Sequence, residues 1–97
     1  MDEATVRQYA DAHAQSIKNG DMQAAIADID PAVLPSLGAL ASQLPNPVTA
    51  AAVQSVEVSG DKATVRIKYD GADKSTTVQS EWQQQGDRPK LTSAHVV

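Results

Sequence analysis

A short turn signal, Asn19-Gly20-Asp21, separates two segments whose apolar residues recur at helical spacing. Glycine readily takes the left-handed conformation at which helices end, and aspartate is a frequent N-terminal cap of the helix that follows. The chain is therefore predicted to begin with two helices joined by a tight connection. The first helix is predicted over about 4–18, and the second is short and begins at about Met22.

The first predicted helix has one apolar face, and a third helical segment follows the second. The apolar face is formed by residues at i, i+3, i+4, i+7 and i+11: Val6, Tyr9, Ala10, His13 and Ile17. Asp30-Pro31 predicts the next helix start, because proline is favoured at the first helical position. Four apolar residues then follow at helical spacing: Leu34, Leu37, Ala41 and Leu44. Pro35 and Gly38 weaken this pattern, so we expect an irregular or kinked helix.

The second half of the chain has the alternation of β-strands. Every odd position over 63–69 is apolar and every even one is polar, which is the period of a half-buried strand. Further strands are predicted over about 51–58, 75–84 and 90–97, after a joint at Pro45-Asn46-Pro47. Hairpin-connected strands after helices predict an α+β fold with an antiparallel meander sheet. The residues predicted to face the helices are Val65, Ile67, Val78 and Trp82.

Length and composition restrict the classes of protein. Ninety-seven residues predict a single domain over 1–97 with a thin core. The absence of cysteine excludes disulfides and thiolate chemistry, and a net charge of −4 with few aromatics argues against nucleic-acid binding. The sequence contains no apolar run of about 18 residues, so no membrane-spanning segment is predicted. No signal peptide is recognisable, so a cytoplasmic location is expected, although a trimmed secreted or anchored chain would have the same sequence.

The order of these motifs resembles a known superfamily. The segment Ala12–Pro31, the strand Gly60–Val65 and the tryptophan-bearing Ser80-Glu81-Trp82 resemble nuclear transport factor 2-like (SnoaL-like) proteins. This superfamily includes the ketosteroid isomerases and polyketide cyclases. The resemblance implies a sheet curved around helix one, forming a cone that can hold a small hydrophobic ligand. It also implies that the outer sheet face can form a dimer. The chain is short for the family, so the cone is expected to be shallow or filled.

The resemblance does not carry the isomerase activity to this chain. In the isomerases a helix-one tyrosine lies eight residues before the aspartate of the turn, and that position here is His13. A carboxylate base lies about sixteen residues after that aspartate, and that position here is Leu37, in a stretch without acids over 32–44. Because proton transfer needs a base and a donor for the enolate oxygen, the isomerase chemistry is not expected.

Five residues are candidates for lining a pocket: Tyr9, His13, Ser80, Trp82 and His95. Each also has a structural interpretation. His13 is either a buried hydrogen-bonded histidine or a polar group at a pocket floor, and Trp82 is either core or pocket wall. Ser80 either bonds a carbonyl or presents a hydroxyl. Alternation places His95 on one face with Leu91, Ser93 and Val97, and the alternative to a pocket position is a structural or surface role. No HxH or HExxH spacing occurs, so neither a metal nor a cofactor is expected.

Three functional hypotheses follow. The leading one is a non-catalytic domain that binds a small apolar molecule or a partner protein. The second is an isomerase- or cyclase-type enzyme that uses an altered pocket around His13. The third is a structural module that self-associates as a weak homodimer through the polar outer sheet face.

Overall fold

The computed structural model of the protein describes residues 1–97 and is α+β, as predicted. Its helices are α1 (Glu3–Asn19), α2 (Met22–Ala27), a 3₁₀ helix (Pro31–Leu37) and α3 (Gly38–Ala41). Its strands are β1 (Val48–Ser59), β2 (Lys62–Gly71), β3 (Ser75–Gln85) and β4 (Arg88–Val96). No helix is both long enough and apolar enough to cross a bilayer.

The connection between α1 and α2 is the one that the sequence predicts. Gly20 ends α1 with a φ of 73°, the left-handed region that glycine enters without a Cβ clash. The Asp21 side chain then accepts a hydrogen bond of 3.2 Å from the Ala24 amide and caps α2. The two helices are therefore joined by only two residues, Gly20 and Asp21.

The third helical segment is irregular, as predicted. Asp30 caps it by accepting a hydrogen bond of 3.0 Å from the Ala32 amide, and Pro31 occupies the first turn. Pro35 has no amide hydrogen to donate, and seven residues run as a 3₁₀ helix instead of an α-helix. Only the last four residues, from Gly38, form an α-helical turn.

The four strands pair in sequence order, and every pair is antiparallel. Helix α1 packs against β1 and β2 on one face of this open sheet. The four residues predicted to face the helices (Val65, Ile67, Val78 and Trp82) are all buried, which confirms the period-2 alternation of β2 and β3. Trp82 is 0% exposed and belongs to the same core as Val6 and Ala10 of α1.

A β-bulge in β4 corrects the predicted position of His95. Trp82 pairs with Leu91 but Glu81 pairs with Ser93, so Thr92 is an extra residue in the strand. The alternation of β4 is therefore shifted by one beyond Leu91. His95 pairs with Gln79 and is exposed on the outer face, so its predicted face with Leu91 is wrong. The residues on the inner face after the bulge are Ala94 and Val96, opposite Ser80 and Val78.

Candidate functional site

An apolar cavity of about 290 Å³ lies between the inner face of the sheet and the helical segments that follow α1. Eighteen residues line it, and 15 of them are hydrophobic. The sheet contributes Ile67, Tyr69, Val78, Ser80, Leu91 and Ala94. Met22 and Ile26 of α2 also line it and are 52% and 45% exposed, so the cavity reaches solvent beside α2.

The apolar stripe of the third helical segment forms one wall of this cavity. Its four predicted members, Leu34, Leu37, Ala41 and Leu44, all line the cavity. None of them is among the fully buried core residues. Leu37 and Leu44 are only partly buried where they pack against the core, so this apolar stripe borders the cavity as well as the core.

His13 lies at the edge of the cavity and belongs to a polar cluster with Asp28 and Arg88. The His13 side chain is 7% exposed, and its Nδ1 is 3.2 Å from Asp28 Oδ2. The other carboxylate oxygen of Asp28 accepts a hydrogen bond from the Arg88 guanidinium. The guanidinium carbon of Arg88 also lies 4.8 Å above the centre of the Tyr9 ring.

The cluster keeps Asp28 ionised and therefore determines which ring nitrogen of His13 carries the proton that lies between them. Burial alone would raise the pKa of Asp28, but hydrogen bonds from His13 and Arg88 and their charges hold it below its ordinary value. Asp28 is thus ionised at neutral pH and can only accept hydrogen bonds. The 3.2 Å contact therefore requires the proton of His13 to be on Nδ1.

Ser80, which lines the cavity, is hydrogen-bonded to the buried Trp82. The Trp82 indole donates to Ser80 Oγ at 2.9 Å, and the Ser80 hydroxyl donates to the Val65 carbonyl at 3.4 Å. The Trp82 ring meets His13 edge-on, with centroids 5.7 Å apart and planes at 88°. Ser80 is therefore neither free nor activated.

The five sequence candidates occupy different positions around the site. His13 and Ser80 line the cavity. Trp82 is buried core in contact with His13, and Tyr9 lies under Arg88, so neither is part of the lining. His95 lies outside the site, on the outer sheet face. No three His, Asp or Glu side chains converge where they could hold a metal ion.

Sequence patterns missed Asp28 and Arg88. Asp28 follows buried Ala25 by three residues and so shares its helical face. An acid on an apolar helical face is the sequence signal that could have identified Asp28 as a site residue. Two backbone hydrogen bonds to Leu91, of 2.8 and 2.9 Å, hold the segment after α2 against β4 and bring Asp28 to Arg88. Burial raises the pKa of the Tyr69 hydroxyl, so this cavity-lining group stays protonated.

Neither a comparison with protein-family models nor a comparison with curated proteins gives a match.

Proposed function

We propose that the protein binds a small, mainly apolar molecule in the cavity between the sheet and the third helical segment. The observation that carries this proposal is a solvent-connected space of about 290 Å³ whose lining is hydrophobic at 15 of 18 residues. Water in such a space contacts surfaces that offer it few hydrogen bonds. A ligand that replaces this water gains the free energy of burying apolar surface.

The cavity volume sets the size of the ligand. At about 30 Å³ per water molecule, the space holds roughly ten waters, and so a ligand on the order of ten non-hydrogen atoms. Naphthalene has this size and no polar group, which makes it a suitable first probe. Larger ligands would have to extend past Met22 and Ile26 into solvent.

We also infer that the chain is a short member of the nuclear transport factor 2-like superfamily, with its sheet curved into a cone. The order of elements supports this assignment: a long helix, a Gly-Asp turn, a short helix and an antiparallel meander. An apolar cavity on the inner face of the sheet is the feature that the resemblance implies. Its position against Leu37 and Ile67 supports the same assignment.

The test is thermal unfolding with and without naphthalene, on wild type and a cavity-filling variant. At ten times its Kd, the probe should stabilise the wild type by about 1.4 kcal/mol, which raises the Tm of a domain of this size by roughly 6–11 °C. Ala94→Phe fills the cavity from the inner face of β4 and should abolish the shift. Ser93→Phe adds the same bulk to the outer face and should retain it. A wild type without any shift would contradict the proposal.

A second candidate function is proton transfer to and from a ligand, and the pairing of His13 with Asp28 favours it. A histidine whose Nδ1–H is held by a carboxylate is arranged as a general base at Nε2. Nε2 would take a proton from the carbon next to a ketone, the C–H electron pair would form the new C=C bond, and the π pair of the carbonyl would move onto its oxygen. The protonated Tyr69 hydroxyl lines the same cavity and can donate to such an oxygen.

Deuterium exchange tests this second function. 2-Tetralone in heavy water should exchange its α-hydrogens faster with the wild type than with His13→Gln, as followed by proton NMR. Equal exchange rates in the two proteins would remove the enzymatic hypothesis and leave the binding proposal unaffected.

A further inference from the structure

His13 lines the cavity, and its contact with Asp28 fixes which of its two ring nitrogens carries a proton. Asp28 receives the Arg88 guanidinium on one oxygen and faces His13 Nδ1 with the other. A carboxylate paired with a guanidinium has no proton to offer, so the proton between Asp28 and His13 belongs to Nδ1. In the neutral imidazole, which carries only this one N–H, Nε2 presents a lone pair.

Nε2 of His13 borders space that solvent can enter. Every buried side-chain nitrogen or oxygen that solvent cannot reach has a hydrogen-bond partner in the protein. Nε2 has no such partner, since the only hydrogen bond of the His13 side chain is the one to Asp28. His13 also lines the cavity, so this atom is available to whatever occupies it.

Two other polar side chains line the cavity. The hydroxyl of Ser80 already donates to Val65 and accepts from Trp82. The hydroxyl of Tyr69 keeps its proton, and a phenol can both donate and accept. His13 Nε2 is the ring nitrogen of the lining that has no partner in the protein.

We propose that His13 is neutral in the ligand-free protein and that the ligand is an apolar molecule bearing a hydroxyl, or another neutral hydrogen-bond donor, that donates to His13 Nε2. This inference rests on the proposed binding function and specifies its ligand class. A carboxylate would face the lone pair of Nε2 and the nearby charge of Asp28, and it would lose its hydration in an apolar space. An ether or ketone of the same size would leave Nε2 without a partner.

Three probes of matched shape test this proposal by calorimetric titration: naphthalene, 2-naphthol and 2-methoxynaphthalene. We expect 2-naphthol to bind the wild type about five- to tenfold more tightly than 2-methoxynaphthalene, the effect of one buried hydrogen bond. His13→Phe retains an aromatic ring against Trp82 and removes the acceptor, so the two affinities should become equal.

The outcomes separate this inference from the binding proposal. If naphthalene binds but the wild type does not prefer 2-naphthol, or if the preference survives in His13→Phe, the hydroxyl inference is wrong and the binding function stands. If no probe binds, both fall. Should His13→Phe not fold, histidine ¹⁵N NMR of the wild type decides. Nδ1 should carry the proton, and Nε2 should shift with 2-naphthol but not with 2-methoxynaphthalene. A proton on Nε2 in the free protein would overturn the inference.

Discussion

Replacing Asp28 with asparagine removes the carboxylate that contacts both His13 of α1 and Arg88 of β4. The Asp28 side chain is 12% exposed and the Arg88 side chain 27%, so the pair is largely shielded from water. Breaking a fully buried ion pair costs about 3–5 kcal/mol, and losing one hydrogen bond to a charged group about 1.5–3 kcal/mol. Because Arg88 can turn towards solvent, we expect the lower range. Asp28→Asn should therefore reduce the free energy of unfolding by about 2 kcal/mol and the Tm by roughly 8–16 °C.

Urea unfolding followed by the fluorescence of Trp82, the single tryptophan, measures this loss directly. Asp11→Asn is the matched control, since it removes the same charge from the exposed side of α1 and should change stability by less than about 0.5 kcal/mol. In an Arg88→Met background the cost of Asp28→Asn should fall, because the two side chains interact. If Asp28→Asn were as stable as the wild type, the claim that Asp28 holds His13 and Arg88 in a stabilising cluster would be wrong.

Three further predictions concern acid, the core and self-association. The pKa of Asp28 in the folded protein lies below the ordinary value of 3.8. The stabilisation by this carboxylate is therefore complete above about pH 4 and is lost as the pH falls through the lower folded pKa. When the free energy of unfolding is measured against pH, it should decrease less in Asp28→Asn than in the wild type. Ser80→Ala leaves the buried Trp82 indole without its acceptor and should cost about 1–3 kcal/mol in urea unfolding, whereas Glu81→Ala on the outer face should be nearly neutral. The weak two-fold dimer through the polar outer face stays a prediction, and a sedimentation experiment that finds only monomer at high micromolar concentration would contradict it.

The elements of the fold were predictable because their signals are local. Gly20 and Asp21 each act within one turn of chain, and the alternation of β2 depends only on neighbouring residues. The register of β4 was not predictable in this way. One extra residue, Thr92, reverses the faces that follow it, and nothing in the composition of β4 indicates where a bulge occurs.

The site was only partly predictable, because its polar cluster depends on tertiary contacts. His13 was found from its place on the apolar face of α1. Its partner Asp28 is 15 positions away in sequence, and Arg88 is 60 positions from Asp28. The resemblance implies a base near Leu37, in a stretch without acids over 32–44, whereas the carboxylate that faces His13 precedes that stretch.

The most direct test of the central claim is an NMR measurement of contacts between 2-naphthol and the methyl groups of the protein. With methyl-labelled protein, the aromatic protons of the ligand should show nuclear Overhauser effects to cavity methyls such as those of Leu34, Ile67 and Ala94. The methyl groups of Val97, at the exposed C-terminus, should show none. Contacts confined to exposed methyls, or no contacts at saturating ligand, would contradict the account of this cavity as a ligand-binding site.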